Sequence, residues 1–508
     1  MTDTPLAPDL EALRQDLHRF MRELALENYM HYSGQKETLE IAPIYERYGH
    51  LVSKDLAKNV RDRWRAAQSP EEKRSYKHLH HFAFFGYQGN LIKGIIEEIA
   101  RRQNEMSIRI DGREIGYHSI VPRLTNEPDC DIRREIDDRA SELELELNEL
   151  RLESWKITSE VFREFGYESY AEGCRKSFEI DYDGLAAELR GFLDETEDDY
   201  VRQFDYLATE RLGYSIRDAR KCDLGYLMRG EGWDGYFPKD GMVGKATACF
   251  AEMGMPVDEV PAIILDVEER EKKRPRAFCS PVEVGREVYV CTRPMGGMSD
   301  YLTFLHELGH AYHFAYTDPN LPAELILVGD SATSEVFAFN FNYLGADGLW
   351  LKTYLGIDDP APIVRFLKLQ KLYFLRRYAS KLLFELELHS DWNMEKRAGK
   401  YTEYLDRGLI AKHRIENWLS DLDPAFYSAG YLRAWIFERQ LREYLIEEFG
   451  DDWWRNPESG RKLAEFWRTG RMYMPEEMSE RILGEPLDLG PIKRELTDLG
   501  EAGPSDRM

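Results

Sequence analysis

The strongest constraint on this chain is the stretch Tyr301-Leu-Thr-Phe-Leu-His306-Glu307-Leu-Gly-His310-Ala-Tyr-His313. Residues four apart lie on one face of a helix, so His306 and His310 can present both imidazole rings to a single metal ion. Glu307 follows the first histidine, and from there its carboxylate can reach a metal-bound water and act as a general base. This HExxH pattern therefore predicts a helix that carries two metal ligands and a base.

A catalytic zinc ion normally has three protein ligands, and Glu335 is the candidate for the third. The segment 318–322 contains two prolines and predicts a loop that turns the chain back after the motif. The apolar run 336–344 then predicts a second buried helix beside the first. Glu324 and Asp330 are competing carboxylates. We expect Glu324 to lie too near the loop and Asp330, which follows a glycine, to lie in a turn.

The alternative is that the motif belongs to a hydrogen-bonded cluster in the core, without a metal ion. Burial of two histidines and a glutamate costs free energy unless their polar atoms find partners, and a metal ion supplies one. We therefore predict one Zn2+ per chain, bound by His306, His310 and Glu335. We expect His313 to pack beside these ligands or to bond to them. The motif is nearly surrounded by apolar residues, namely Leu302, Phe304, Leu305, Leu308, Ala311, Tyr312 and Phe314.

A resemblance to a known family rests on these residues. The run from His306 to His313, followed by Ser334-Glu-Val-Phe-Ala338, resembles the M3 family of zinc peptidases, which includes thimet oligopeptidase and oligoendopeptidase F. The pattern of that family is HExGHxxH with a glutamate ligand further along the chain. The segments 274–279 and 294–300, which lead into the motif, are also similar to that family.

The resemblance covers about residues 270–345, is weaker over 420–440 and elsewhere is limited to helical character. It implies a mainly α fold in which two helical lobes enclose a deep substrate cleft, with a small β-sheet beside the metal helix. We expect an N-terminal helical lobe over residues 1–180, a zinc-binding catalytic region over 181–490 and a flexible tail over 491–508.

The function that the resemblance implies is that of an oligopeptidase, which hydrolyses short peptides with a zinc-bound water that Glu307 activates. Folded proteins would be excluded from a cleft enclosed by helices. Three alternatives stay open: a zinc carboxypeptidase or dipeptidyl carboxypeptidase of related helical fold, a non-catalytic peptide-binding relative, and a zinc hydrolase that acts on a non-peptide amide. The intact Glu307 argues against a binding protein, because binding alone does not need that carboxylate.

Strands are predicted in a short region just before the metal helix. The segments 262–267, 276–281 and 287–291 are rich in β-branched and aromatic residues within an otherwise helical chain. Zinc peptidases commonly pair the substrate main chain with an exposed strand edge beside the metal, and the resemblance implies that role for this sheet. The alternative is that the sheet only supports the metal helix.

Two tyrosines late in the chain are candidates for stabilising the oxyanion that forms during peptide hydrolysis. They lie in Asp423-Pro-Ala-Phe-Tyr427-Ser-Ala-Gly-Tyr431, and a phenol hydroxyl beside a metal can donate a hydrogen bond to that oxygen. By resemblance to the M3 peptidases we assign the role to Tyr431 first and to Tyr427 second. Thimet-type members have a histidine just before these tyrosines, whereas the nearest one here is His413. An ordinary aromatic core cluster is the alternative.

Charge and targeting signals restrict the partners. The formal net charge of -25 disfavours nucleic acid, because two polyanions repel each other. The N-terminus lacks a secretory signal and no long apolar run predicts a membrane span, so we expect a cytoplasmic protein without membrane attachment. The six cysteines have no CxxC spacing and are expected to be reduced thiols. We expect short peptides as partners; the sequence does not predict the oligomeric state.

A second histidine cluster lies near the N-terminus. His78, His80 and His81 stand among aromatic residues, and three histidines so close together could bind a metal ion. No acidic residue or cysteine stands at ligand spacing, so we expect ordinary helix packing.

Overall fold

The computed structural model describes residues 10–497, and the chain is mainly α-helical with two small β-sheets. The prediction of a mainly α fold is therefore confirmed. Within the described residues, no helix has both the length and the apolar character that crossing a lipid bilayer requires.

The first half of the described chain consists mainly of helices, several of which begin at a side chain that caps their free N–H groups. The hydroxyl of Ser69 accepts the backbone N–H of Glu72 at 3.1 Å and so caps the start of a helix. The carboxylate of Asp129 accepts the N–H groups of Asp131 and Ile132. The helices of this half are α1 (Leu10–Tyr32), α2 (Ala42–Arg47), α3 (Lys54–Ala66), α4 (Pro70–Glu105), α5 (Tyr117–Asn126), α6 (Cys130–Glu164), α7 (Tyr170–Phe178), α8 (Tyr182–Glu195), α9 (Glu197–Leu212), α10 (Lys221–Leu227) and α11 (Met242–Glu252).

The second half of the described chain is also mainly helical and contains the helix of the HExxH motif. Asp347 caps one helix by accepting the N–H of Trp350 at 2.8 Å, and Gly356 ends that helix in the left-handed region. The helices are α12 (Met298–Tyr316), α13 (Ala323–Leu327), α14 (Ser331–Asn342), α15 (Gly348–Leu355), α16 (Ala361–Leu388), α17 (Met394–Arg397), α18 (Lys400–Leu409), α19 (Tyr427–Phe449), α20 (Pro457–Trp467), α21 (Pro475–Leu483) and α22 (Gly490–Thr497). Helix α22 contains residues 491–497 of the segment predicted as a flexible tail, and residues 498–508 of that segment lie outside the described residues.

The strands form one hairpin and one three-stranded sheet. Strands β1 (Ser107–Ile110) and β2 (Arg113–Gly116) pair antiparallel across the turn Asp111-Gly112. Strands β3 (Ile263–Asp266), β4 (Phe278–Glu283) and β5 (Glu287–Cys291) form the second sheet in the order β3-β5-β4. The β3–β5 pair is parallel and the β4–β5 pair is antiparallel. The predicted strands before the metal helix are therefore present.

The chain divides into two compact units, each built from separated segments. The first unit comprises the described residues up to Tyr87, together with Glu231–Val364 and Arg433–Ile492. The second comprises Gln88–Gly230, Arg365–Leu432 and the described residues from Lys493 onward. The units thus interleave along the sequence, whereas the predicted regions 1–180, 181–490 and 491–508 are consecutive.

The core of the first unit holds α12 and α14 against α11. Tyr312 of α12 stacks on Phe250 of α11 with 4.1 Å between ring centroids, and its hydroxyl donates to the carbonyl of Met255 at 2.7 Å. Phe341 of α14 packs on the same Phe250 ring at 4.5 Å. These buried aromatic contacts fix the two helices that carry the candidate metal ligands.

Candidate metal centre

Helices α12 and α14 touch each other at Gly309. A Cβ built on Gly309 would lie 2.7 Å from both the Cα of Ala338 and the carbonyl oxygen of Phe337. No larger residue fits at that distance, so the glycine of the motif permits the close approach of the two backbones. Glu335 precedes Ala338 by about one turn of α14, and the approach therefore brings its carboxylate to the histidine-bearing face of α12.

His306 and His310 project from neighbouring turns of α12. Their ring centroids lie 4.7 Å apart and their planes are nearly perpendicular, at 88°. The side chains are only 17% and 14% exposed. Burial lowers the pKa of His310 to about 3, so this ring is neutral at pH 7 and can offer a lone pair to a metal ion.

Glu335 completes the group. Its Oε2 lies 3.4 Å from Nε2 of His306 and 3.7 Å from Nε2 of His310, and its side chain is 12% exposed. This buried oxygen has no hydrogen-bond partner. A buried carboxylate oxygen without a partner is costly, so the site calls for a cation.

The spacing of these three donors fits one metal ion. Ligand atoms about 2.1 Å from a tetrahedral ion lie about 3.4 Å from each other. The distances of 3.4 Å and 3.7 Å from Oε2 of Glu335 to the two Nε2 atoms are close to this value. Within residues 10–497, the group of His306, His310 and Glu335 is the one set of three such side chains whose donor atoms lie within 4.8 Å of one another. The predicted trio is therefore brought together as a group that could hold a metal ion.

A chain of hydrogen bonds determines which ring nitrogen of His310 carries the proton. Nε2 of His313 lies 3.1 Å from the carbonyl oxygen of Gly470, which only accepts, so this nitrogen carries the proton. Nδ1 of His313 then accepts from the hydroxyl of Ser334 at 3.1 Å. The same hydroxyl oxygen accepts from Nδ1 of His310 at 2.8 Å. Nε2 of His310 is thereby left with its lone pair on the side of Glu335.

His313 is therefore a support for a candidate ligand. Its side chain is fully buried, and burial lowers its pKa to about 3, which keeps the ring neutral. The position agrees with the expectation that His313 bonds beside the ligands. Ser334 and Gly470 are hydrogen-bond partners in this chain for which no sequence pattern predicts the role.

Glu307 is held at one of its two oxygens. Its Oε2 accepts the backbone N–H of Cys279, in strand β4, at 2.8 Å. Burial raises the pKa of Glu307, while His306 and this N–H oppose the rise. Within the described residues, Oε1 has no hydrogen-bond partner. A carboxylate held in this way can accept a proton at its other oxygen.

The competing carboxylates are engaged elsewhere. Glu324 is fully buried and forms an ion pair with Arg14 at 2.7 Å. Asp330 caps α14 by accepting the N–H of Ala332 at 2.9 Å and pairs with Arg433 at 2.8 Å. Both carboxylates therefore pair with an arginine, whereas Oε2 of Glu335 faces two imidazole rings.

The two candidate tyrosines lie in the second unit, at the start of α19. The hydroxyl of Tyr427 donates to that of Tyr431 at 3.4 Å, and the two rings meet edge to face at 4.9 Å. Tyr427 is 38% exposed. The ring of Tyr378 packs against Tyr431 at 5.3 Å. The structure thus brings the two tyrosines together, and their catalytic role stays a prediction.

The N-terminal histidines pack as an aromatic group. His78 and His81 lie 6.1 Å apart between ring centroids, and His80 packs against Phe84 at 5.5 Å. Burial lowers the pKa of both His78 and His80 to about 4. They do not belong to the candidate metal group. The six cysteines are free thiols.

No protein-family model matches this chain, and no curated protein is significantly similar to it.

Proposed function

We propose that this chain is a zinc-dependent metallopeptidase that hydrolyses short peptides. The observation that carries the proposal is the partnerless Oε2 of Glu335, which lies 3.4 Å and 3.7 Å from the Nε2 atoms of His306 and His310. Glu307 stands next to the first of these histidines in the chain, where a general base of this chemistry is needed.

Zinc is the ion that suits this donor set. Two imidazole nitrogens and one carboxylate oxygen are a common catalytic zinc set, which leaves a fourth position for water or substrate. Zinc at this position would polarise a carbonyl group and lower the pKa of bound water toward neutrality. The burial of the donors would strengthen both effects, because charges interact more strongly where water is excluded.

Glu307 would move the proton. Because Cys279 holds Oε2, Oε1 is the oxygen that would take the proton from the attacking water and pass it to the leaving amine. The raised pKa makes its carboxylate a better base than an exposed glutamate.

Substrate binding and oxyanion stabilisation are assigned by resemblance. Strand β4 pairs with β5 alone among the described strands, and its Cys279 N–H faces Glu307, which supports a place for substrate main chain at this edge. The hydroxyl of Tyr431, with Tyr427 as the second candidate, would donate to the oxyanion. The restriction to short peptides follows from the helical cleft that the M3 resemblance implies.

The test is incubation of the purified protein with a pool of short peptides, with and without a chelator, followed by mass analysis of the fragments. We expect chelator-sensitive cleavage inside peptides that are blocked at both ends. Release of residues only from free C-termini would favour the carboxypeptidase alternative, and absence of any cleavage by the zinc-loaded protein would overturn the proposal.

The matched variant is Glu307→Gln, which keeps the size of the side chain and its bond to Cys279. We expect cleavage to fall by about 10²- to 10⁴-fold, the usual contribution of a general base, while one zinc per chain is retained. Loss of zinc together with activity would instead indicate that Glu307 is a ligand or a structural residue.

A further inference from the structure

A strained turn stands directly before the candidate tyrosines. Ala425 has φ 56° and ψ 28°, and Phe426 has φ 52°, so two consecutive non-glycine residues occupy the left-handed region. This region is unfavourable for any residue that carries a Cβ. Strain of this kind persists only where the surroundings impose it, and it is concentrated at functional sites.

Aromatic packing holds one side of the turn. Phe426 is 1% exposed and its ring lies 5.6 Å from Tyr170, 5.2 Å from Tyr182 and 5.8 Å from His389, all within the second unit. The hydroxyl of Tyr170 also accepts the backbone N–H of Ala425 at 2.7 Å. The left-handed pair is therefore anchored by one buried ring and one backbone bond.

Glu385 of α16 brackets the turn from both ends. It is fully buried, its Oε1 accepts the backbone N–H of Asp423 at 2.9 Å, and its Oε2 lies 3.2 Å from the hydroxyl of Ser428. Asp423 comes before the strained pair and Ser428 comes after it. A single side chain thus fixes both ends of the turn, and Ser428 lies in the first turn of α19 beside Tyr427.

When Glu385 is protonated, the neighbouring groups offer its proton an acceptor. Lys381 pairs with Asp423 at 2.7 Å, and the hydroxyl of Ser428 lies 3.4 Å from Oδ2 of that aspartate. A protonated Glu385 can donate to Ser428, which then donates to Asp423. The other titratable groups that act on Glu385 are Asp421, which precedes the turn, and Tyr170 and Cys174 of α7.

We propose that Glu385 is a positioning residue that holds the turn 423–428 in its strained form and thereby orients the hydroxyls of Tyr427 and Tyr431. The link to catalysis rests on the proposed function, in which these tyrosines donate to the oxyanion. The clamp itself does not depend on that function, so it can be tested separately.

Hydrogen exchange measures the clamp without any activity assay. In Glu385→Ala we expect the amides of Asp423 and Ala425 to exchange at least about tenfold faster than in the wild-type protein, because the turn is released. Glu385→Gln should exchange like the wild type at pH 7, since its amide can donate to Ser428 and accept from Asp423. Glu387→Ala, on the same helix but outside the clamp, is the matched control.

Ser428→Ala is the milder variant if Glu385→Ala does not fold. It removes one of the two bonds and should raise exchange over 423–428 by several-fold. Unchanged exchange in Ser428→Ala, or in a folded Glu385→Ala, would overturn the clamp.

Kinetics on the zinc-loaded protein then test the effect on the tyrosines. We expect Glu385→Ala to lower kcat with little change in KM, and Glu385→Gln to restore it. In the double variant that also carries Tyr431→Phe, the loss in kcat should be smaller than the product of the two single losses, because both changes remove the same interaction. Multiplying losses would show that Glu385 acts independently of the Tyr431 hydroxyl and would overturn the positioning role. If the wild type cleaves no peptide, the proposed function fails while the exchange result still decides the clamp.

Discussion

The hydroxyl of Ser334 lies 2.8 Å from Nδ1 of His310, and it connects this candidate ligand to His313 and then to the backbone of Gly470. The orientation of His310 is thus set by a residue of α14, the helix that also carries Glu335. Partners of this kind hold a metal-binding imidazole in one tautomer and one rotamer.

Replacement of Ser334 should weaken metal binding. We expect Ser334→Ala to reduce zinc affinity by about 10- to 100-fold, because His310 loses the acceptor for its Nδ1 proton. Competition with a chromogenic chelator measures the affinity. Ser331→Ala, one turn earlier on α14, is the control and should bind zinc like the wild type; equal affinities in both variants would contradict the role of the hydroxyl.

Replacement of Gly309 should separate the two metal helices. A Cβ at this position meets backbone atoms 2.7 Å away, so we expect Gly309→Ala to lower the free energy of unfolding by about 1–3 kcal/mol and to weaken zinc binding. Denaturant titration measures the first effect. Gly244→Ala in α11, where an added Cβ meets nothing within 4 Å, should instead be neutral or stabilising by up to about 1 kcal/mol. Equal effects at the two positions would disprove close contact at Gly309.

Replacement of Glu335, the proposed third ligand, should abolish most of the stabilisation that zinc gives to the folded protein. At a zinc concentration about 1,000-fold above the dissociation constant, the wild type should gain about 4 kcal/mol in the free energy of unfolding. Glu335→Gln should lose most of this gain. The metal-free proteins should differ little, because Oε2 of Glu335 has no hydrogen-bond partner to lose. Thermal unfolding with and without a chelator makes the comparison; a full zinc response in the variant would exclude Glu335 as a ligand.

Removal of the tyrosine hydroxyls should separate their roles. Loss of one oxyanion donor costs about 10²- to 10³-fold in kcat, and we expect Tyr431→Phe to show this loss with KM nearly unchanged. Tyr427→Phe should have a smaller effect if its hydroxyl only donates to Tyr431. Steady-state kinetics on short peptides distinguish the two. A larger loss of kcat in Tyr427→Phe than in Tyr431→Phe would assign the stabilisation of the oxyanion to Tyr427.

The buried Glu385 should make stability depend on pH. Burial raises its pKa from the ordinary value of 4.5 to about 8, although Lys381 opposes the rise. Between these values the folded protein binds a proton that the unfolded chain does not, so this group makes the free energy of unfolding fall as pH rises, by up to about 1.4 kcal/mol per pH unit. Glu385→Gln should remove this dependence, and its advantage over the wild type should grow from pH 5 to pH 8. Parallel pH curves for the two proteins would exclude the raised pKa.

The metal group could be predicted from sequence because its parts obey local rules. Helical spacing places His306 and His310 on one face, and the prolines of the loop predict that α14 returns to α12. Position along the chain favours Glu335 over Glu324 and Asp330. The structure gives the physical reason, since those two carboxylates pair with Arg14 and Arg433.

The supporting interactions could not be predicted in the same way. Gly470 contributes a backbone carbonyl, which every residue carries, so no sequence pattern marks it. The left-handed conformations of Ala425 and Phe426 contradict local preference, because tertiary packing and Glu385 impose them. The interleaved segments of the two units depend on long-range contacts, which periodicity does not report.

The bond between His313 and Gly470 also bears on how the protein matures during translation. Both helices that carry the candidate ligands leave the ribosome well before the segment that follows α20. Until that segment emerges, the carbonyl that fixes the imidazole tautomers is missing, and a nascent chain can display its ligands without their final orientation. Efficient metal capture would therefore be deferred until synthesis is nearly complete.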